Sequence, residues 1–556
     1  MQQSTISLCM IVRDEAEHLA HCLSSAADAV DEIIVVDTGS GDDTVSVAKR
    51  FGAQVISFPW QDDFSLARNA GLDHATGDWI LYLDADEVLD ASAKETLRTI
   101  ALHKEFEGFL LQIHNYVGQG DQGATINPVL RMFRNRPEHR FEGRIHEQIA
   151  TCICSQRPNA AFHITDVKIH HYGYLKEIIK RKDKIGRNLQ LLRQTLEEKP
   201  DDPFHLYNIG VEYLRISETK QAMEAFRKAR TLVDPKAISY AHLLYKYEIR
   251  CLQAMNQLQE ALQLCEEGIG LYPDYTDLHH LCGVIQSTLG NQSDAAASLH
   301  RALEIGAAPA GFHTEEGLGT FQTCYALGLL EESNRNYQGA VSWYVKSLQW
   351  KSSLNPPLYR IFHLLRCTNS QADIHSLFNE CFQLEHPEAV VKVTNILITS
   401  DCAKAALALL EQSRDAAIEE YKQVTRIKCH LLAGEIKQAK RYLRQTKSNQ
   451  VSKLRAWTAW VEDGEDHLPK FLRQATSEDF QFAAKIAFVN GKRSAVWGIT
   501  QLWSDASSKE EASALLLFAR TFVQLADHHL GNLSQTSRYK QLIYDARLAA
   551  PHEDGF

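Results

Sequence analysis

Trp79-Ile80-Leu81-Tyr82-Leu83-Asp84-Ala85-Asp86-Glu87 is an apolar run that ends abruptly in three acidic groups, the pattern of a buried strand delivering carboxylates to the rim of a cleft. On a regular strand Asp84 and Asp86, two positions apart, face the same side. Hard oxygen ligands of this kind suit Mg²⁺ or Mn²⁺, which commonly share a site with a diphosphate and neutralise its charge. A short acidic pair after an apolar run more often only marks the exposed end of a strand, so its surroundings decide the reading.

Upstream, Ile6 to Glu15 reads as a first buried strand, and Asp14 to Ser25 as a helix whose leading acids suit its dipole. Glu32-Ile33-Ile34-Val35-Val36-Asp37 is a β-branched strand closing on an aspartate, followed by a turn-rich break, Thr38 to Thr44, that opens another helix. Gln54 to Phe58 supplies a third strand, and a helix starting at Phe64 precedes the acidic one. Strands alternating with helices predict an α/β domain with a mostly parallel sheet, its ligands outside the carboxyl ends of the strands. Asp37, Asp84 and Asp86 all fall at such ends.

Four blocks now stand in order: Cys9-Met10-Ile11-Val12-Arg13-Asp14-Glu15; Val36-Asp37-Thr38-Gly39-Ser40 with Asp42 and Thr44; Ala67-Arg68-Asn69 with Gly71; and Gly77-Asp78-Trp79-Ile80 through Glu87. Together they resemble the family 2 glycosyltransferases of the GT-A type over the first ~180 residues. The first block has Arg13-Asp14-Glu15 where Lys-Asn-Glu is commoner, which leaves the role of Asp14 open. No Walker or GxGxxG loop is present, so metal and basic side chains are expected to hold the diphosphate.

The resemblance implies roles residue by residue. Asp37 would hold the nucleotide base, the backbone of Ile11, Val12 and Arg13 would line the same pocket, and Asp84 would approach the ribose or the metal. Asp86 would be the principal metal ligand, and Arg68 would face the diphosphate or order the base-binding carboxylate. The plainer alternatives are a helix cap for Asp37 and a surface ion pair with Asp63 or Asp73 for Arg68.

Arg140-Phe141-Glu142-Gly143-Arg144-Ile145-His146-Glu147-Gln148-Ile149 follows downstream, and resembles the Phe-Gly-His-Glu segment of glycosyltransferases that carry helical repeats, including relatives that glycosylate peptides. An inverting transfer needs a carboxylate to take the acceptor's proton. Glu147 is the first choice, with Glu142 and Glu87 as alternatives; the bland account makes His146-Glu147 an edge-strand pair. In Ile169-His170-His171-Tyr172-Gly173-Tyr174, His171 is the expected extra metal ligand and His170 its competitor. On a strand the two point to opposite faces, so only one reaches the cleft. Cys152 and Cys154 lack a second pair at zinc spacing.

Lys176, Lys180, Arg181, Lys182, Lys184 and Arg187 alternate with apolar residues in an amphipathic linker helix, whose basic face could close over a diphosphate or simply be solvated. Pro200-Asp201-Asp202-Pro203 stops it. A tetratricopeptide-like register then begins with Leu206, Ile209, Gly210, Tyr213, Ala222, Phe226 and Ala229. It returns with Ala261, Cys265 and Gly268, then Gly283, Ala295, Leu299 and Ala302, then Gly328, Ala340, Tyr344 and Ser347. Ala261 and Ala295 lie 34 positions apart, the tetratricopeptide period. The longer step to Ala340 requires an insertion near Gly306 to Gly319. Ala405 and Ala439 again differ by 34, but Leu454 to Asp545 shows no register. The expected division is 1–174 for the GT-A domain, 175–199 for the linker, 200–350 for an all-α solenoid and 351–556 for degenerate helical repeats. Such arrays usually bind peptides or proteins; a structural or dimerising array is the alternative.

With 556 residues the chain can hold several cores, and a net charge of -11 with pI near 6.1 gives no footprint for nucleic acid. There is no N-terminal signal pattern and no apolar stretch of membrane-spanning length. Twelve scattered cysteines fit reduced thiols in cytoplasm. The expectation is a metal-dependent inverting glycosyltransferase using a nucleotide-diphosphate sugar, with repeats that position a polypeptide acceptor. A saccharide or lipid-linked acceptor in envelope polysaccharide synthesis and a non-catalytic scaffold are the competing readings.

Overall fold

The structure, a computed structural model, describes residues 4–116, 124–172, 184–367, 386–413, 415–446, 448, 451–463 and 477–490. Strands β1 (Ile6–Val12), β2 (Glu32–Asp37), β3 (Gln54–Ser57) and β4 (Trp79–Tyr82) pair in parallel in the order β3-β2-β1-β4. Helices α1 (Ala16–Ala26), α2 (Thr44–Arg50) and α3 (Phe64–Leu72) connect them. Alternation within β1 sorts its side chains. Ile6, Leu8, Met10 and Val12 join Leu19, Cys22 and Leu23 of α1 in one core, while Cys9 joins Ile34, Ile80, Tyr82 and Leu72 in a second core on the other face.

Beyond β4 the sheet stops being parallel. β5 (Glu87–Leu89), α4 (Ala93–Ile100), β6 (Gly108–Tyr116), β7 (Ala124–Arg134), α5 (Ala150–Gln156) and β8 (Phe162–His171) extend it to β3-β2-β1-β4-β7-β6-β8-β5. The pairings of β7 with β4 and β6, and of β5 with β8, are antiparallel. The mostly parallel sheet expected from the sequence is therefore a mixed one, because β6 and β7 follow one another across a short connection instead of a helical crossover.

Helix α6 (Lys184–Glu198) leads into four helix pairs: α7 (Pro203–Arg215) with α8 (Thr219–Leu232), α9 (Ala241–Ala254) with α10 (Leu258–Leu271), α11 (Thr276–Thr288) with α12 (Gln292–Ile305), and α13 (Phe321–Ser333) with α14 (Tyr337–Trp350). Residues at the repeat positions read from the sequence, among them Ala222, Phe226, Ala261, Cys265, Ala295, Leu299, Ala340 and Tyr344, are fully buried. Close approach of the paired helices explains the glycines. A Cβ on Gly210 would lie 2.7 Å from the Phe226 ring, one on Gly283 2.6 Å from Leu299 and one on Gly328 2.3 Å from the Tyr344 ring.

The insertion between α12 and α13 carries β9 (Thr314–Glu315), which pairs antiparallel with Thr125 and Ile126 of β7 and so joins the repeats to the sheet. Its other side lies against α11, on the side formed by the first helices of the pairs. There Lys246 of α9 reaches Asp277 at 2.5 Å and Glu315 at 2.9 Å, Arg250 reaches Glu315 at 2.6 Å, and the Tyr275 hydroxyl donates to the His313 carbonyl at 2.7 Å. Lys246 and Asp277 are wholly buried. Sheet and repeats thus share one compact unit, Met1–Leu354, which the sequence reading divides at 174 and 199.

Asn355–Phe556 forms a second unit. Its described residues include helices Pro387–Thr399, Ala403–Gln412, Glu419–Leu432 and Ile436–Gln445, in which Ala405 and Ala439 are both buried. Most of the stretch from Leu454 to Asp545 lies outside the described residues. No described helix is long and apolar enough to cross a membrane.

Candidate active site

β4 ends at Tyr82, so Asp84 and Asp86 stand in the turn that leads to β5 and not on a regular strand. The turn is closed by Glu87 N–H donating to the Asp84 carbonyl at 3.0 Å, and by Asp84 N–H donating to the Glu87 carboxylate at 2.9 Å. Because the backbone turns here, the two aspartates do not share a face as expected, and each meets its own partners.

Asp84 meets arginines. Arg68 Nη2 donates to Asp84 Oδ1 at 2.8 Å, and Arg131 Nη2 lies 3.5 Å from Asp84 Oδ2. Burial opposes the charged carboxyl, but the two guanidiniums outweigh it and hold Asp84 below its ordinary range. Both arginines lie over the Tyr82 ring, at 4.9 and 4.5 Å. Arg68 is buried and its Nε also donates to Glu147 Oε1, while its Nη1 has no hydrogen-bond partner among the described residues. The surface ion pair considered for Arg68 is therefore ruled out: Asp63 caps α3 through Leu66 N–H, and Asp73 pairs with Arg140.

Asp86 meets a histidine and a lysine. His171 Nε2 lies 3.4 Å from Asp86 Oδ1, and Lys184 Nζ 3.1 Å from Asp86 Oδ2. Burial opposes the charge on Asp86, yet the bonds and charges of His171 and Lys184 hold its carboxyl far below the usual range. His171 shows the reciprocal effect, its ring raised above the ordinary value because the carboxylates outweigh burial. Its Nδ1 is engaged by Asn115 Oδ1 at 2.7 Å, so Nε2 is the nitrogen turned to Asp86. His170 points away from that cleft, to the Tyr116 hydroxyl at 2.8 Å and Asp90 at 3.1 Å, as strand alternation requires.

Glu87 is wholly buried and bonded to Arg131 at 2.6 Å, with its carboxyl raised by burial. Such a group braces the turn and offers no surface to an acceptor. Glu142 is exposed; its backbone exchanges two bonds with Gln148, 3.0 and 2.8 Å long, that close a loop around Gly143, Arg144, Ile145 and His146. His146 adopts φ 54° near the apex of that loop, so the edge-strand account of His146-Glu147 does not hold. Desolvation, helped by Arg215, His205 and Arg187, pushes the His146 ring down to about 3.

The remaining family blocks hold the site's walls together. Asn69 clamps the loop at its start, donating to the Phe141 carbonyl at 3.0 Å and accepting from Phe141 N–H at 2.9 Å. Asp14, at φ 53°, accepts from Gly41 N–H at 2.7 Å, and Glu15 N–H donates to Thr44 Oγ1 at 2.8 Å. Asp14 thus fastens the first block to the second. Asp37 accepts from Gly39 and Ser40 N–H at 3.3 and 3.2 Å, a turn cap of its own, with no bond to the following helix. In register beside it, Val12 gives its carbonyl to Thr38, while Arg13 is exposed. Ile11 lines a narrow cavity with Met10, Arg68, Gly71, Tyr82 and Phe141.

Asp86 and His171 suit a hard divalent cation as two of its ligands, with His171 oriented from behind by Asn115. Among the described residues no group of three or more His, Cys, Asp or Glu side chains could hold a metal. Arg131, Asn115 and the specific contact of Lys184 escape the sequence reading. Arg131 alone left a signal, as the one charge in Val129-Leu130-Arg131-Met132-Phe133.

Residues 7–162 match the family described as "Glycosyl transferase family 2". A "TPR repeat-containing protein" of Synechococcus elongatus is 35% identical over half of this chain and 70% of its own length. The chain belongs to the family 2 glycosyltransferases that carry tetratricopeptide repeats. The glycosyltransferase SunS of Bacillus subtilis is 31% identical over 40% of this chain, which spans only 53% of that relative. A crystal structure of S. aureus TarS aligns over 46% of this chain and 54% of its own, at 13% identity and a TM-score of 0.29.

Proposed function

We propose that this family 2 glycosyltransferase moves a sugar, with inversion, from a nucleotide-diphosphate donor to a polypeptide acceptor with the help of Mg²⁺ or Mn²⁺. One observation carries the reading: a single buried guanidinium, Arg68, joins Asp84, on the donor side, to Glu147, on the acceptor side. In the transfer the acceptor heteroatom bonds to the anomeric carbon as the bond from that carbon to the diphosphate oxygen breaks, and the diphosphate leaves with the electron pair. Glu147 takes the acceptor's proton through Oε2, its Oε1 being held by Arg68. Arg68 Nη1, without a partner among the described residues, meets charge developing on the diphosphate. Asp37 and the backbone of Ile11 to Arg13 hold the base, and Asp84 the ribose. Asp86 and His171 would hold the cation, which supplies charge neutralisation to the leaving diphosphate.

The polypeptide acceptor rests on the helical array, and β9 narrows where it can dock. Lys246 and Arg250 are already bound to Glu315 of the chain itself, which favours a second reading in which this part of the array is a brace. Intact-mass analysis of candidate polypeptides, glycans and lipid-linked saccharides, incubated with the protein, divalent cation and a panel of nucleotide sugars, tests the proposal. A mass increment on a polypeptide supports it, and one only on a saccharide or lipid moves the acceptor class. Absence of both transfer and donor hydrolysis would make the chain a scaffold.

A further inference from the structure

We infer that the first helical repeat is part of the device that positions Glu147, with Ile209 of α7 acting through Ile145. The inference rests on the reading of Glu147 as the acceptor-side base. Glu147 is two residues from Ile145, and Ile145 does not pack into the sheet domain's cores. It belongs to a separate buried cluster with Leu189, Leu191 and Leu192 of α6, Ile209 of α7 and Ala225 of α8. The backbone around it is tied on both sides: the Arg144 carbonyl accepts from Phe64 N–H at 2.9 Å, and the Arg144 side chain reaches Glu198 of α6 at 2.9 Å. Phe64 packs on the same cluster and lies under the Arg187 guanidinium at 5.1 Å, and it opens the helix that carries Arg68.

Both partners of the central ion pair are therefore tied, through Ile145 and Phe64, to a cluster built by α6 and the first repeat. His146, between Ile145 and Glu147, holds a positive φ, a strained conformation that persists only where its neighbours enforce it. Ile145 enforces it from one side and the Arg68–Glu147 pair from the other. A base displaced by a fraction of a side chain loses rate without loss of donor affinity. Ile209 is thus a positioning residue in an element whose sequence signature speaks only of repeats.

The test uses the full chain, with the donor and acceptor found by the intact-mass screen and UDP with Mg²⁺ as the binding probe. Ile209→Ala is expected to lower kcat about tenfold while UDP affinity changes less than twofold, and Ile209→Val to recover most of the rate. In a Glu147→Gln background Ile209→Ala should cost nothing further. Wild-type kcat in folded Ile209→Ala, a parallel loss of UDP affinity, or the same tenfold loss in the Glu147→Gln background would each overturn the inference. If Ile209→Ala does not fold, Ile145→Val trims the loop's own anchor and is read in the same way. Glu147→Gln alone separates the two claims: normal transfer by that variant removes the base and the inference together, whereas an inactive Glu147→Gln beside a normal Ile209→Ala removes the inference only.

Discussion

Arg68 and Glu147, 79 residues apart in sequence, form a buried ion pair between α3 and the loop that follows β7. Arg68 spends a second arm on Asp84, so the planar fork of a guanidinium is needed and an ammonium cannot replace it. Arg68→Lys is expected to lower kcat/KM by at least tenfold while the protein stays folded. Steady-state kinetics on the variant decide this, and a change under twofold would show that the bridge is not part of the chemistry.

The divalent cation proposed at Asp86 would meet a rival there, because Lys184 already neutralises one of its oxygens. Lys184→Met should tighten Mn²⁺ binding several-fold in the absence of donor, read from the free-ion signal in electron paramagnetic resonance. Asp86→Ala should abolish both Mn²⁺ binding and transfer, and chelation should abolish transfer by the wild type. Unchanged Mn²⁺ affinity in Lys184→Met would mean that the ammonium and the cation do not compete.

A chain ending near Pro200 lacks Ile209, Ala225 and β9, leaving Ile145 and the free edge of β7 uncovered. It is expected to aggregate or to melt well below the intact protein. A chain ending at Leu354 keeps the whole first unit and should bind UDP normally. Size-exclusion chromatography and calorimetry on the two truncations distinguish them, and a monodisperse, UDP-binding 1–200 fragment would refute the dependence.

Glu315 gives the seam a pH dependence. Burial opposes its charge, but Lys246 and Arg250 outweigh it and lower the carboxyl to about 2 from an ordinary 4.5. A folded value below the unfolded one means that the stabilisation is fully present above about pH 4.5 and is lost as pH falls towards 2. Each tenfold change in proton affinity is worth about 1.4 kcal/mol. Between pH 5 and 3 the melting temperature of Glu315→Gln should therefore fall less steeply than that of the wild type. Parallel slopes would show that the pair contributes nothing.

What the sequence disclosed follows from how local each signal is. The strands around Ile6–Val12 and Glu32–Asp37, the positions of Asp84 and Asp86, and the spacing of Ala222, Ala261 and Ala295 are all set by periodicities of a few residues. The split between His170 and His171 follows from strand alternation alone. Arg131, Asn115 and Lys184 become site residues only when β7, β6 and α6 come together, and no short-range pattern records that. The turn after Tyr82 is not legible in the sequence, because an apolar run predicts a strand without telling where it stops. The insertion at Gly306 to Gly319 was visible as a break in register, but its pairing with Thr125 was not.

The β7–β9 pairing has a consequence for synthesis. Thr125 waits for Glu315, which leaves the ribosome 190 residues later. At ~5 to 20 residues per second that delay is roughly ten to forty seconds, during which part of the rim of β7 stays open to strands of other nascent chains. Slowing translation between residues 135 and 313 lengthens the exposure without altering the finished protein, so the yield of folded protein becomes a function of codon speed along that stretch.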